Sequence, residues 1–242
     1  MEDIKNKSQE EIVEMFNGIA KTYDLANRIL SVGVDKTWRK KACNKAFFLY
    51  GAQKIDKIID VACGTGDLMI DWQKNAKVNQ IDLDQIVGVD PSVGMMEVGK
   101  TKIKDGVFIE AGAEDMPLED SSADIISISY GIRNVVKRKE AWGEFARILK
   151  PNGLAVILEF TKNTDNNMAH KMTNFYMHNM MPFIGGAVSG SRDAYTYLPE
   201  SIDNFITTEQ MCNELSEAGL EPIFVQPYSM KMSTTIVARK KA

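Results

Sequence analysis

The stretch that most constrains the fold is KIIDVACGTGD, residues 57–67. Residues 57–61 form a β-branched apolar run that predicts a buried strand. Gly64 and Gly66 follow, and glycines at this spacing allow a sharp turn in which backbone approaches a ligand. Asp67 then begins a helix, whose first N–H groups would face a bound molecule. Strand, glycine turn and helix together predict a nucleotide-cofactor loop.

This loop lacks one feature of dinucleotide-binding sites. Their fingerprint has a third glycine three positions further on, where this chain has Met69. A pyrophosphate-binding loop is therefore disfavoured. The loop resembles the first motif of class I methyltransferases, which bind S-adenosylmethionine, a cofactor without a phosphate. A plain strand-turn-helix, in which the glycines serve only the turn, is the alternative at this stage.

Length and composition favour a single α/β domain. The chain has 242 residues without a Pro/Ser-rich linker, and its net charge of -4 gives no basic footprint for nucleic acid. Cys43, Cys63 and Cys212 are too widely spaced for a disulfide framework or a zinc site, so no metal is predicted and a reducing cytoplasm is favoured. The charged start predicts no signal peptide, and no apolar run approaches membrane-spanning length.

Residues 10–23 have apolar side chains at helical spacing, which predicts an amphipathic helix. Residues 23–38, YDLANRILSVGVDKTW, predict a helix, a break at Gly33 and a second helix starting near Asp35, whose carboxylate would cap it. This segment closely resembles the N-terminal signature of the UbiE/MenG (Coq5-type) quinone C-methyltransferase family. It departs from that signature at Ala26, where the family usually has Met.

The second strand, predicted at residues 86–90, ends in a carboxylate. In folds of this kind an acidic residue here lies beside the ribose of the cofactor and accepts its hydroxyl protons. Asp90 is therefore the predicted ribose residue. Pro91 is predicted as the first residue of the next helix, which Asp90 would also cap.

A third strand is predicted at residues 107–111 and is followed by a polar loop. In class I methyltransferases this loop flanks the adenine. The family usually has Asn or Asp where this chain has Gly112, so the resemblance implies recognition by the backbone of Gly112 and Ala113. Asp115 is a further candidate.

The fourth strand, predicted at residues 124–129, ends in SYGIRN. Base-modifying amino-methyltransferases place an Asn/Asp-Pro-Pro-aromatic loop here, and this chain has none. Arg133 and Asn134 instead suit a substrate oxygen that carries negative charge during reaction. We expect them to hold a quinol oxygen, with Tyr23 or a water completing the proton path. A surface ion pair is the alternative for Arg133.

Residues 147–162, RILKPNGLAVILEFTK, predict a helix end, a turn and a fifth strand. They resemble the second signature of the same family, with Asn152 for a glycine and Thr161 for a serine. Glu159 is predicted to be a structural hydrogen-bond acceptor. Further on, a helix ending at Gly219 and strands at 221–226 and 233–238 predict a closing antiparallel hairpin.

Residues 166–198 are rich in methionine, which suits a lid over a prenyl tail or an ordinary core. His170 and His178 are predicted to be structural. We expect one domain over residues 1–242, with an N-terminal helical cap at 1–50 and a lid insertion at 163–205 after the fifth strand.

The resemblance covers essentially the whole chain and implies a class I S-adenosylmethionine-dependent methyltransferase fold, Rossmann-like, with a mostly parallel seven-stranded sheet. It implies an enzyme that methylates a ring carbon of a prenylated quinol. Demethylmenaquinol is the expected substrate, and a benzoquinol is the alternative. The residues implied to bind the cofactor are Asp60, Gly64, Thr65, Gly66, Asp67, Asp90, Gly112, Ala113 and Ser129.

Two alternatives stay open on sequence alone. One is another lipid or small-molecule methyltransferase, and the other is a non-catalytic S-adenosylmethionine- or quinone-binding protein. The intact GTGD, Asp90 and GIRN elements weigh against the second. The expected location is the cytoplasm, with room for peripheral contact at the inner face of the membrane and for a homodimer.

Overall fold

The described part of the chain forms one mixed β-sheet covered by helices. A computed structural model describes residues 7–165, 168, 174–189 and 191–241. Its strands are β1 (Lys54–Val61), β2 (Asp82–Val89), β3 (Val107–Ile109), β4 (Ala123–Ser129), β5 (Leu149–Glu159), β6 (Leu220–Tyr228) and β7 (Ser233–Lys240). They lie in the order β3-β2-β1-β4-β5-β7-β6. Strands β1 to β5 are parallel, and β7 is antiparallel to β5 and β6, which confirms the predicted fold class.

Helices connect the strands and lie on both faces of the sheet. They are α1 (Gln9–Leu30), α2 (Val34–Tyr50), α3 (Asp67–Val78), α4 (Val93–Lys102), α5 (Arg138–Ile148), α6 (Met181–Ser189), α7 (Arg192–Asp203) and α8 (Thr208–Glu217). A 3-10 turn, Ile132–Asn134, follows β4, and a π-helical turn, Tyr176–Met180, precedes α6. Among the residues described, no helix combines the length and apolarity needed to cross a bilayer.

Two apolar clusters hold the sheet between its helices. Trp142 and Phe145 of α5 belong to the cluster on one face, and Trp72 of α3 belongs to the cluster on the other. Neighbouring strand residues alternate between the clusters, so that Ile58 packs on one side and Ile59 on the other. Full burial of such side chains contributes about 1.5–3 kcal/mol each. The strand ends that carry the polar residues are therefore set on a rigid core.

The N-terminal helix is longer than its amphipathic pattern, because α1 continues to Leu30. The predicted break is confirmed at Gly33, whose φ of 76° is left-handed. The predicted cap at Asp35 is wrong, because Gly33 is the N-cap and no side chain caps α2. The Asp35 carboxylate instead accepts a hydrogen bond from Ser31, four residues earlier, and forms an ion pair with Arg39, four residues later.

Among the other local predictions, the one for Pro91 is wrong, and those for Asn152, Gly219 and the hairpin are confirmed. Pro91 is not the first helical residue, because Ser92 is the N-cap of α4 and its hydroxyl accepts the Met95 N–H at 3.3 Å. Asn152 adopts a φ of 65°, the left-handed conformation expected where the family has glycine. Gly219 ends α8 with a φ of 84°, and the predicted hairpin is β6 and β7.

The insertion between β5 and α8 packs on α1. Met177 lies in the buried cluster that joins the two, together with Ile19 and Tyr195. Met168 and Met180 are exposed, so core and surface roles are divided among the methionines. His178 lies 3.1 Å from Asp203. His170 and Met172 lie outside the described residues.

Candidate active site

Three adjoining cavities open at the carboxyl ends of β1, β2 and β4, where α/β sheets bind ligands. The loop cavity has about 650 Å³, the inner cavity about 510 Å³ and the apolar cavity about 760 Å³. Tyr23 and Tyr130 line all three. The main lining residues are Gly64, Asp90, Gly112, Ala113, Ser129 and Asn134 for the loop cavity, Asp60, Gly64, Thr65, Asp67 and Ser129 for the inner cavity, and Phe16, Trp38, Arg133, Phe160, Tyr195 and Tyr197 for the apolar cavity.

The glycine turn has the conformation that its sequence predicts. Gly64 and Gly66 have φ angles of 53° and 77°, which side chains rarely adopt. A Cβ on Gly64 would meet nothing within 4 Å, because it would enter the open cavity. A Cβ on Gly66 would lie 2.8 Å from Ile103. Gly64 therefore leaves room for a ligand, whereas Gly66 serves the turn and its packing and lines none of the three cavities.

Asp90 ties the glycine turn to the start of α4. One carboxylate oxygen accepts the Gly64 N–H and the other accepts the Ser92 N–H, both at 2.7 Å. Burial raises the pKa of Asp90 to about 6, although these two N–H groups oppose the shift. Each oxygen keeps a further lone pair, so the carboxylate can brace the loop and accept from a ligand.

The Ser129 hydroxyl is a buried polar group without a partner in the described chain. Ser129 ends β4 and lines both the loop and the inner cavity. An unmet buried hydroxyl costs about 1–3 kcal/mol, so such groups usually serve a ligand or water. Across the loop cavity, Gly112 leaves space in which the Glu114 carboxylate lies 2.5 Å from where a Cβ would be. Glu114 lines that cavity, and the further candidate Asp115 does not.

Asp60 is a buried carboxyl at the end of β1, on the inner cavity. It accepts a hydrogen bond of 2.8 Å from Ser127, whose oxygen in turn accepts the Trp72 indole N–H. Burial raises the pKa of Asp60 to about 7, and the charge of Asp90 adds to the rise. The carboxyl therefore keeps its proton to a higher pH than a carboxyl in water does.

We expect Asp60→Asn to stabilise the free protein at pH 8 relative to wild type. A carboxyl with a raised pKa in the folded state supports folding at low pH, and this support is lost as the pH rises through about 7. The amide keeps the acceptor for Ser127 and removes the titration. The free energy of unfolding, measured by urea denaturation, should decrease less between pH 5 and pH 8 in the variant than in wild type. The difference between the two decreases should be about 1.4 kcal/mol for each unit by which folding raises the pKa of Asp60. Asp105→Asn, on the surface, is the control, and equal pH dependence in all three proteins would contradict the expectation.

Asp67 lies among cations. Its carboxylate pairs with Arg28 of α1 at 3.1 Å, with Arg39 of α2 at 3.2 Å and with Lys102 of α4 at 2.7 Å. Against the effect of burial, these cations hold the pKa of Asp67 below its usual range. The residue lines the inner cavity, but its oxygens are used to join helices around the glycine turn. Sequence reasoning missed this network because its members are far apart in the chain.

Helix α1 forms the outer wall of the loop cavity and one wall of the apolar cavity. Its Asn17 side-chain oxygen accepts from Ser92 and from the Gly94 N–H, both at 2.8 Å. About two turns further on, Asp24 accepts from the Thr65 hydroxyl at 2.6 Å and pairs with Lys102 at 2.8 Å. The Thr65 hydroxyl is therefore hydrogen-bonded to α1. A ligand in the loop cavity would therefore contact α1.

Arg133 is held in the wall of the apolar cavity by the buried carboxylate of Glu159. Its Nη1 also donates to the Tyr130 carbonyl at 3.1 Å, and its Nε donates to Ser201 at 3.2 Å. Nη2 has no partner among the described residues and keeps its donors for a ligand. The ion pair foreseen as an alternative exists, but it is buried, and Glu159 is the structural acceptor that the sequence predicted.

Asn134 lies on the other side of the same turn. Its side-chain oxygen accepts the Tyr197 hydroxyl at 3.1 Å, and the residue lines the loop cavity. The structure therefore brings Arg133 and Tyr23 together in the apolar cavity and places Asn134 in the neighbouring one. Tyr195 and Tyr197, which sequence reasoning missed, come from the insertion, where the sequence carries no motif that marks them.

Two solved structures that share this fold are named as methyltransferases. A SAM-dependent methyltransferase from Aquifex aeolicus matches with a TM-score of 0.57 at 15% identity, covering 82% of this chain and 89% of that one. A possible histamine N-methyltransferase from Thermotoga maritima matches with a TM-score of 0.60 at 17% identity, covering 95% and 100%. At such identities the likeness concerns the fold alone. The fold is that of the class I methyltransferases, which use S-adenosylmethionine.

Sequence comparison supplies the family. The model of the ubiE/COQ5 methyltransferase family matches residues 2–240. The chain is 48% identical to a ubiquinone/menaquinone biosynthesis C-methyltransferase UbiE from Campylobacter jejuni, over 97% of this chain and 99% of the relative. It is 36% identical to a demethylmenaquinone methyltransferase from Thermotoga maritima, over 90% and 91%. The chain belongs to the ubiE/COQ5 methyltransferase family and is an S-adenosylmethionine-dependent methyltransferase, which confirms the resemblance found in its two signatures.

Proposed function

We propose that this chain transfers the methyl group of S-adenosylmethionine to a ring carbon of a prenylated quinol, with demethylmenaquinol as the first substrate. The observation that carries the proposal is the junction of a polar and an apolar cavity at Tyr23 and Tyr130, with the Arg133 guanidinium on the apolar side. The names of the relatives, which include both demethylmenaquinone and ubiquinone/menaquinone enzymes, support this substrate class.

The loop and inner cavities fit the cofactor by their donors and acceptors. Asp90 would accept from the ribose hydroxyls, and the backbone of Gly112 and Ala113 would flank the adenine. Ser129 offers its unpartnered hydroxyl between the two cavities. Asp60 lines the inner cavity together with Thr65, Asp67 and the backbone of the turn, and Gly66 shapes that turn.

Methyl transfer to carbon requires an activated ring. When bound, S-adenosylmethionine supplies a methyl group whose bond to sulfur breaks in line, with the electron pair passing to sulfur. The Nη2 group of Arg133 would donate to the quinol oxygen as that oxygen loses its proton, which raises the electron density at the neighbouring carbon. Burial raises the pKa of Tyr23, so its hydroxyl would pass a proton on rather than act as a standing base. The ring hydrogen leaves as a proton after the new carbon-carbon bond forms.

Glu159 and Asn134 act at the borders of this site. Glu159 fixes the guanidinium of Arg133 and would position it for the quinol oxygen. Sequence analysis predicts that Asn134 contacts the same quinol oxygen as Arg133. Because Asn134 lines the loop cavity, it would reach that oxygen from the side where the cofactor binds. Residues 163–205 would serve as the lid, since α7 supplies Tyr195 and Tyr197 to the apolar cavity.

Lys102→Met should weaken cofactor binding about fivefold, the value of one partly exposed ion pair of ~1 kcal/mol. Lys102 joins Asp24 of α1 to Asp67 and Thr65 of the turn, so its loss loosens the helix that covers the cavity. The dissociation constant of S-adenosylmethionine, measured by calorimetry at low and high salt, checks this. Lys100→Met is the matched control, because Lys100 lies on the same helix and, within the part of the chain that the structure describes, its ammonium pairs with the exposed Glu97 alone. Equal affinity in both variants would contradict a role for α1 in holding the cofactor.

We also propose a cytoplasmic enzyme with peripheral contact at the inner face of the membrane. Leu25, Ile29 and Val32, at the end of α1, are exposed, as are Phe175 and Phe183 of the insertion. Both elements border the apolar cavity, where a prenyl tail would enter from a bilayer. Sedimentation with phospholipid vesicles tests this, and wild type that stays in solution would contradict it. A homodimer remains a prediction.

One assay separates this function from its alternatives. Purified protein, S-adenosylmethionine and the reduced prenylated demethyl forms of a naphthoquinone and a benzoquinone are incubated separately, and products are read by mass. Methylated naphthoquinol is the expected product. Product from the benzoquinol alone would move the substrate to the ubiquinone type. Product from neither, with intact cofactor binding, would favour a non-catalytic binding protein or another lipid methyltransferase.

A further inference from the structure

Tyr195, which lines the apolar cavity, carries a second buried hydroxyl without a partner besides that of Ser129. The hydroxyl of Tyr195 is buried and forms no hydrogen bond within the described residues. The residue is only 3% exposed and lines the cavity. Burying a hydroxyl without a partner costs about 1–3 kcal/mol, so this group is either a defect of packing or a donor kept for a ligand.

The position of the Tyr195 ring is built into the insertion. A Cβ on Gly185 of α6 would lie 2.3 Å from the ring atom Cγ of Tyr195 and 2.4 Å from Cδ1. Any side chain at position 185 would therefore displace the ring. The ring is also packed in the cluster with Ile19 and Ala26 of α1. The ring is thus fixed by contacts with α6 and α1, and its hydroxyl is placed by the fold, which argues against a defect.

Tyr195 is suited to donate a hydrogen bond rather than to remove a proton. Burial raises the pKa of Tyr195, and the neighbouring Tyr23 adds to the rise. The phenol therefore keeps its proton throughout the physiological range and acts as a neutral donor. The same cavity has two charged donors, Arg133 and Arg39, and Arg39 is paired with Asp35, Asp67 and Asp71.

We propose that the Tyr195 hydroxyl binds the quinol oxygen that does not ionise, and that Gly185 positions it. This inference rests on the proposed function, because a 1,4-quinol carries two oxygens on opposite sides of its ring. The oxygen beside the methylated carbon becomes negative and suits the guanidinium of Arg133. The remote oxygen stays a neutral hydroxyl and suits a neutral phenol. Two different donors in one cavity would thus fix which ring carbon faces the methyl group.

Tyr195→Phe should lower kcat/KM for demethylmenaquinol about 10–100-fold, mainly through KM, as expected for one buried hydrogen bond left unmade. The test compares this substrate with a prenylated 1-naphthol that keeps the oxygen beside the methylated carbon and lacks the remote one. For wild type, kcat/KM should be lower for that analogue than for demethylmenaquinol by a similar factor. Tyr195→Phe should turn over both compounds about equally, because the enzyme hydroxyl and the substrate hydroxyl depend on each other.

Two further variants separate substrate binding from folding. Gly185→Ala should impair use of demethylmenaquinol like Tyr195→Phe and should add little to it in the double variant, because both act through one ring. Tyr176→Phe is the control, since that hydroxyl donates to the Leu30 carbonyl at 2.7 Å and does not line the cavity. The free Tyr195→Phe protein should melt at or above the wild-type temperature, because it loses an unmet buried hydroxyl.

The possible results distinguish a failure of the role proposed for Tyr195 from a failure of the proposed function. If wild type methylates the quinol and Tyr195→Phe keeps the full preference for it over the naphthol, the role of Tyr195 is overturned and the proposed function stands. If Tyr195→Phe loses the same factor on both compounds and melts lower, Tyr195 is structural and the inference is again overturned. Absence of any product from wild type would overturn the proposed function and this inference with it.

Discussion

Arg133→Ala should lower the rate of methyl transfer by at least about 10²–10³-fold, the usual cost of removing one donor to a developing oxyanion. Arg133 is the cation of the apolar cavity whose Nη2 remains available, while Glu159, Ser201 and the Tyr130 carbonyl hold the rest of the group. Affinity for S-adenosylmethionine should change less than about twofold, since Arg133 does not line the loop or inner cavity. Single-turnover rates and calorimetry on the same preparation measure both quantities.

Loss of Arg133 also leaves the Glu159 carboxyl buried without its partner, which is costly for folding. The double variant Arg133→Ala with Glu159→Gln removes that charge and should fold while remaining inactive. Arg138→Ala is the matched control, because Arg138 follows the same turn but pairs with Glu214 away from the apolar cavity. Near-normal turnover by Arg133→Ala would rule out the oxyanion role.

Asp90→Ala should weaken S-adenosylmethionine binding by about 10²-fold or more, because hydrogen bonds to a charged group contribute about 1.5–3 kcal/mol each. The carboxylate would lose its ribose contacts, and the Gly64 and Ser92 N–H groups that it braces would be released. Equilibrium binding of the cofactor, followed by calorimetry, is the measurement. Turnover at saturating cofactor should recover in part, since Asp90 does not line the apolar cavity.

The same carboxylate predicts a pH dependence of cofactor binding. With its pKa raised to about 6, Asp90 loses its charge as the pH falls through that value, and a neutral carboxyl accepts less strongly from the ribose. Wild-type affinity should therefore rise between pH 5 and pH 7, and Asp90→Ala should show a smaller rise, since Asp60 of the inner cavity still titrates in this variant. Asp84→Ala, at the exposed opposite end of β2, is the control. A similar pH profile in all three proteins would remove Asp90 from the ribose site.

Much of the cofactor half of the site could be predicted from sequence. Gly64, Asp90, Gly112 and Ser129 each follow or end a strand of the parallel part of the sheet, and parallel strands bring their carboxyl ends to one edge of the sheet. Strand periodicity and topology therefore place these residues together without knowledge of any long-range contact. The family signatures added the substrate class, which the glycine turn alone does not contain.

The substrate half depends on contacts that no local pattern contains. Glu159 is recognisable as a strand-end carboxylate, but its pairing with Arg133 requires β5 to lie beside β4. Tyr195 enters the cavity only because α7 folds back onto α1 and α6, a tertiary arrangement of an insertion without periodic signal. Asp67 was assigned to the ligand from its motif, yet three cations from separate helices claim its carboxylate.

The position of the transferred methyl group tests the account most directly. Wild-type protein is incubated under reducing conditions with demethylmenaquinol and S-adenosylmethionine that carries a deuterated methyl group, and the product is examined by mass spectrometry and proton NMR. The account predicts a deuterated methyl on the ring carbon beside the quinol oxygen, with loss of that carbon's hydrogen. A methyl group on oxygen, or no labelled product from a protein that binds the cofactor, would contradict it.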